Sequence, residues 1–337
     1  MTEAERVGQL LMIGLHGASL GAADMQAIDT AHIGSVWIFG NRTSGVASIA
    51  SLARAVQARA RTATHGVGFL FAADQEGGLV QRLAGPGFST IPTARVQGTW
   101  SPAVLRTAAA TWGRQLAAAG VNLDLAPVMD VVPPSMVATN EPIGQLQREF
   151  GTDPTTVAVH GDAVIAGMRS AGVATALKHF PGLGRVTANT DLSTGVVDHR
   201  TTPADPYLAP FASGIRAGAR FVMVSLATYS RIDPDHLAAF SPTVIGLLRG
   251  ELGFTGVVVS DSLTAAATSA IPVAERALDF VMAGGDLAIV DGDIVAGVMA
   301  AHLLEAAEHD TAVRERVDAA ALRVLRAKEA LGLLPCA

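Results

Sequence analysis

The sequence predicts an α/β fold of the (β/α)8 TIM-barrel type in a single domain spanning residues 1–337. Three observations carry this. Eight short apolar runs recur along the chain, each separated from the next by enough residues for a crossover helix. Several helix starts are marked by a capping side chain followed by proline. No Ser/Gly linker or low-complexity tract divides the chain, and 337 residues suit one barrel. The runs are Leu10–Leu15, Ser35–Phe39, Gly68–Ala72, Leu123–Pro127, Val173–Leu177, Phe221–Ser225, Val257–Ser260 and Leu287–Val290. Regular βα alternation with eight strands favours a barrel over a doubly wound sheet. Ser101-Pro102, Asp153-Pro154 and Ser241-Pro242 mark helix starts, and Gly120, Gly172 and Gly253 fall where those helices should stop. Near the end, Val313, Val317, Ala321, Val324 and Leu325 recur at helical spacing and predict a closing helix.

Composition excludes several classes. Half of the residues are apolar and 16% are charged, so a large core is expected. A net charge of −6 without a basic stripe argues against nucleic acid as a partner. Nothing approaches 18 uninterrupted apolar residues, so no membrane span is expected. The start, MTEAERVGQLLMIG, carries acids and enters a periodic segment at once, unlike a signal peptide. The single cysteine, Cys336, excludes an internal disulfide, and a cytoplasmic protein is the expectation. There is no Gly-rich phosphate loop, no zinc spacing and no Ser-His-Asp arrangement, so no cofactor or metal is expected. His160, His199 and His236 read as ordinary polar positions.

In a barrel, chemistry sits where strands end. The third run leads into Asp74-Gln75-Glu76-Gly77-Gly78 and Val80-Gln81-Arg82, two carboxylates beside paired glycines. Ionised groups such as Asp74 and Arg82 strengthen hydrogen bonds to hydroxyls. An Asp74–Arg82 ion pair bracing the loop is the plainer alternative. The fourth run continues through Asp124 to Asp130, and its loop from Asn140 reaches Arg148. The fifth stops at Lys178-His179, followed by Phe180-Pro181-Gly182-Leu183-Gly184, where proline and glycines end regular structure. A strand-capping Lys178 and a satisfied core His179 are the bland counterparts. The seventh ends in Ser260-Asp261-Ser262-Leu263, which alone would read as a helix cap; the eighth is preceded by Gly284-Gly285-Asp286, read as structural.

These strings resemble glycoside hydrolase family 3, above all its single-domain β-N-acetylhexosaminidases, over roughly residues 5 to 333. DQEGGLVQR is similar to the family's DQEGGRVQR, NLDLAPVMD to its NxDxAPVxD, and the loop to Arg148 to its NPxIGxRxFG with two extra residues. KHFPGLG is similar to its KHFPGHG, and VVVSDSL to its VxSDDL. The resemblance implies a retaining exo-acting β-glycosidase without cofactor. Asp261 is then the nucleophile, while Asp74, Arg82, Arg148, Lys178 and His179 hold a terminal β-linked sugar, N-acetylglucosamine in the nearest relatives. Asp130 is expected to brace loops.

The chain also departs from that pattern. The family's second loop histidine is Leu183, and a third, in a VMxxH-like string, is Leu226. The family's Asp-Ser-His, which carries its acid/base histidine, aligns with Asn189, Thr190 and Asp191. Asp191 is therefore the candidate acid/base, which requires its pKa to be raised. The plain alternative is an Asp191 that only caps its loop. Two rival functions are a sugar-binding protein that has lost efficient catalysis and a glycosyl transferase to phosphate. The latter is disfavoured because Asp191 would repel an anion.

Overall fold

The computed structural model describes residues 1–335; Cys336 lies outside the described residues. Eight parallel strands form the barrel, each coinciding with one predicted run: β1 Leu11–Leu15, β2 Ser35–Ile38, β3 Leu70–Ala73, β4 Leu123–Asp124, β5 Ala174–Phe180, β6 Phe221–Val224, β7 Val257–Ser260 and β8 Ala288–Val290. Neighbours follow chain order from β1 to β7, and β8 lies beside β1. A parallel bridge between Val259 and Leu287 closes the ring between β7 and β8.

Side chains alternate between two layers. Met12, Leu70, Ala72, Leu123, Ala176, Phe221, Met223, Val257, Val259, Leu287 and Ile289 fill the barrel interior. Their neighbours Ile13, Phe71, Ala73, Leu177, Val222, Val258 and Ala288 face the surrounding helices. This is the period-two alternation of a strand buried on both faces. Val324 and Ala327 of the helix Thr311–Ala330 also pack into the interior cluster, so that helix closes the barrel. Val313, Val317, Ala321 and Val324 are buried as predicted, whereas Leu325 is only half-buried and Lys328 is fully buried.

The three marked helix starts are formed as read. Ser101 Oγ accepts from Val104 N–H, Asp153 Oδ1 from Thr156 N–H and Ser241 Oγ from Val244 N–H, each with proline at the first helical position. Gly120, Gly172 and Gly253 follow the ends of these helices with φ of 80°, 78° and 65°. One boundary differs from expectation. β5 does not stop at Lys178-His179 but runs through them to Phe180. Buried carboxylates satisfy the two polar side chains, so the strand continues. Among the described residues no helix is long and apolar enough to cross a membrane.

Candidate active site

The loops after the strands enclose a cavity of about 650 Å³. Asp74, Arg82, Arg148, Lys178, His179, Asp191 and Asp261 all line it, although they come from four separate strand ends and the loops that follow them, those of β3, β4, β5 and β7. β5 supplies both Lys178 and His179. Its register against β6 shifts between Leu177 and Phe180, and this irregularity brings two successive side chains to one cavity.

At the floor, a charge cluster sets the geometry. Lys178 is 2% exposed, and its Nζ donates to Asp74 Oδ1 at 2.5 Å and lies 2.6 Å from Glu76 Oε1. Arg148 grips Glu76 in a two-pronged pair, Nε to Oε2 at 2.8 Å and Nη2 to Oε1 at 2.7 Å. Burial alone would raise the Glu76 pKa, but Arg148 and Lys178 overrule it and hold the carboxyl well below the usual range. Burial likewise disfavours the Lys178 ammonium, yet Asp74 and Glu76 outweigh it and raise its pKa. Glu76 was not singled out from the sequence. Only the DQEGG string marked it, because its partners lie 72 and 102 residues away.

The expected alternative ion pair between Asp74 and Arg82 does not form. Asp74 pairs with Lys178, and Arg82 Nη1 donates instead to Asn41 Oδ1 at 3.0 Å. A hydrogen bond from Arg82 N–H to Asp74 O holds the loop through its backbone.

Asp130 is fully buried and braces two loops. Its Oδ1 accepts from the N–H groups of His179 and Leu183, and its Oδ2 lies 2.7 Å from His179 Nδ1. The far ring nitrogen, Nε2, lies 3.4 Å from Arg148 Nη2. Asn140 ties the same two loops, accepting from Ile143 and Gly144 N–H and donating to Leu183 O and Val186 O. Gly184 passes so close to Val131 O that an added Cβ would sit 1.9 Å away. The two extra residues before Arg148 are absorbed in a turn in which Gln147 takes φ of 55°, and Arg148 still reaches the cavity.

Below this layer, Asp124 accepts from Gln75 N–H through Oδ1 while its Oδ2 is buried without a partner. Burial pushes its pKa up to about 7.

Asp261 follows β7 directly. Its N–H donates to Val224 O, and its Oδ1 accepts from Ser262 N–H at 2.8 Å. The Asp191 loop docks on the next stretch: Thr190 O and Asp191 O accept from Ala267 and Ala266 N–H. Asn189 Oδ1 accepts from Asp191 N–H at 3.0 Å, so the residue that replaces the family's orienting aspartate turns the Asp191 backbone. The Asp191 carboxylate itself makes no hydrogen bond among the described residues and is exposed at the cavity rim. Encirclement by protein raises its pKa, and the charge of Asp261 raises it further. Of the two leucines that stand at histidine positions, Leu183 lines the cavity, while Leu226 is fully buried and lies in the core.

Asp286 is structural, as read: it is buried between Arg249 and Arg323 and accepts from Val258 N–H. His160 lies within hydrogen-bond distance of Thr156 O and Trp100 O, His199 of Ser230 Oγ and His236 of Asp233, all outside the cavity. The cavity has one quadrant that motifs did not reveal, formed by Trp37, Phe39 and Asp291, with His16 beside Asp291.

Known proteins place this constellation. The chain is 34% identical over 273 residues to a β-hexosaminidase of Xylella fastidiosa, covering 78% of this chain and 77% of that one. It is 33% identical over 295 residues to a β-hexosaminidase of Xanthomonas oryzae, covering 83% of each. The crystal structure of a β-N-acetylhexosaminidase from Beutenbergia cavernae superposes with a TM-score of 0.96 at 49% identity, over 98% of this chain and 99% of that one. Residues 2–327 match the glycosyl hydrolase family 3 N-terminal domain. With that match over nearly its full length and a barrel mouth built as described, the chain belongs to glycosyl hydrolase family 3.

Proposed function

We propose that this β-N-acetylhexosaminidase-like glycoside hydrolase is a retaining, exo-acting enzyme that removes a terminal β-linked N-acetylhexosamine. The observation that supports this most is the meeting of two carboxylates with contrasting surroundings in one cavity. Asp261 is held by backbone N–H at the end of β7, and Asp191 is unbonded at the rim with a raised pKa. Two such carboxyl groups suit double displacement. We take the whole chain as one catalytic domain. Cytoplasmic action belongs to the same proposal; a chain with one cysteine has no need of an oxidising compartment.

In the first step an Asp261 oxygen attacks the anomeric carbon. The bond from that carbon to the glycosidic oxygen breaks, and the Asp191 proton moves to the departing oxygen. In the second step water attacks the same carbon, its proton passes to the Asp191 carboxylate, and the ester bond to Asp261 breaks. Esterification removes the Asp261 charge that helps raise the Asp191 pKa, so Asp191 gives up its proton more readily and stands ionised, able to take the water's proton in the second step. Lys178, Arg148, His179, Asp74 and Arg82 hold the hydroxyls of the terminal sugar, with Glu76 and Asp130 fixing the first three in place.

Incubation with 5-fluoro-β-N-acetylglucosaminyl fluoride, followed by intact-mass and peptide mapping, tests this reading. A single adduct on Asp261 is expected. An adduct elsewhere, or none while turnover proceeds, refutes the covalent role of Asp261. The alternative of a sugar-binding protein without turnover predicts binding of N-acetylglucosamine and no adduct.

A further inference from the structure

The mouth of the barrel is graded by depth. The groups that would hold the terminal sugar lie deep: Lys178 and His179 are buried, and so is Glu76. The outer rim is different in kind. Phe39 is 38% exposed and Leu79 is 69% exposed, yet both line the cavity, as does the exposed Asp191. A leaving group departs outward, past the residue that protonates it. It must therefore run between the Asp191 loop and the opposite rim.

That opposite rim is built by three adjacent strands, β8, β1 and β2, which are followed directly by Asp291, His16 and Phe39. His16 Nε2 lies 2.5 Å from Asp291 Oδ1, and the His16 ring lies over Phe39 with centroids 4.5 Å apart. Trp37 backs Phe39 edge-on at 5.3 Å. Asp291 N–H donates to Thr264 Oγ1, which in turn bonds the Ser262 hydroxyl beside Asp261. Gly14 keeps the space under this group open, since an added Cβ would sit 3.1 Å from Asp291 Oδ1 and 3.3 Å from Trp37 Nε1. The result is an aromatic platform with a carboxylate at its edge, braced from behind.

We propose that Phe39, Leu79 and the His16–Asp291 pair form the subsite for the first sugar on the leaving-group side of the scissile bond. The inference rests on the proposed function and adds the class of leaving group. The part of the Phe39 ring that His16 leaves open suits the C–H face of a pyranose, and Asp291 accepts from one of its hydroxyls. An aryl or alkyl leaving group would cover the Asp291 carboxylate without giving it a donor, which is unfavourable. The subsite therefore selects a sugar leaving group.

The test uses two donors with the same terminal N-acetylhexosamine: its β-glycosyl fluoride, which has no leaving-group sugar, and a β-linked disaccharide. The readout is the ratio of kcat/KM for the disaccharide to kcat/KM for the fluoride. Phe39→Ala and Asp291→Asn are each expected to lower this ratio at least tenfold. Leu79→Ser, at a site too exposed to affect folding, is expected to lower it by a smaller factor, and melting curves confirm that each variant is folded. A ratio unchanged because both donors suffer equally assigns these residues to the terminal-sugar pocket and overturns the proposal. A ratio unchanged because neither donor suffers shows an inert rim and overturns it too. If the parent cleaves neither donor and forms no fluoro-sugar adduct, the failure lies in the proposed function, and this inference falls with it.

Discussion

Replacing Glu76 with glutamine probes the part of the site on which the others depend. Glu76 is 9% exposed and is the shared anion for two buried cations, Arg148 and Lys178. The amide keeps the shape but removes the charge. Lys178 then keeps only Asp74, and Arg148 keeps the Pro142 carbonyl and the His179 ring. Removing one partner from a buried ion pair costs about 3–5 kcal/mol, because the remaining charge is left uncompensated in a poorly polarisable surrounding. At about 2.1 cal/mol/K per residue, the unfolding entropy of 337 residues is about 0.7 kcal/mol/K, so the loss corresponds to a Tm drop of about 4–7 °C. Circular-dichroism melts at pH 7 read this directly.

The pH dependence supplies a second check. The folded pKa of Glu76 lies well below its free value of 4.5. Its stabilisation is therefore complete above pH 4.5 and is lost as pH falls through the folded value. The Tm gap between parent and Glu76→Gln should be full at pH 7 and narrow below pH 4.5. A Tm drop under about 1.5 °C at pH 7, or a gap that widens in acid, would refute the claim that Glu76 anchors the cluster.

Three further outcomes follow from the same geometry. Asp261→Asn should lower turnover by several orders of magnitude while leaving Tm within about 1–2 °C, since only an exposed-side oxygen of a backbone-held carboxylate changes; near-parent turnover would make Asp261 a loop brace. Asp191→Ala should slow substrates with poor leaving groups far more than activated aryl glycosides, lose the alkaline limb of the pH profile, and recover its second step with added azide; equal losses on both substrate classes would show that Asp191 is not the acid/base. Lys328→Met concerns the barrel's closed end, where the buried Lys328 Nζ donates to Gln9 Oε1 and Gly34 O and burial lowers its pKa to about 7. Between that value and the free 10.5 the unfolded chain binds the extra proton, so the parent should gain stability from this group as pH rises through the window; the methionine variant should lack that rise, and an unchanged pH–Tm slope would refute it.

The barrel was legible from sequence because its signals are local. An apolar run, a Ser-Pro or Asp-Pro helix start and a glycine beyond a helix end each act within a few residues, and β1 to β8 and the three capped helices fell where those signals lay. Asp74, Arg82, Arg148, Lys178, His179, Asp191 and Asp261 were marked by strings that resembled a family, and the fold brings all seven to one cavity. What they bond to was not legible. Asp74 was open to pairing with Arg82, and folding gave it Lys178, because β3 and β5 aim their ends at one axis.

Other features exist only once the ring closes. His16, Phe39 and Asp291 lie in unremarkable contexts, and they become one surface because β8 lies beside β1. Lys328 follows the apolar stripe of the closing helix, and its burial depends on Gln9 and Gly34 from the opposite end of the chain. Local sequence determined which segments are strands and which residues stand at their ends. The partners of those residues were decided by tertiary structure, since hydrogen bonds and charge pairs act over a few ångströms in space between groups tens to hundreds of residues apart.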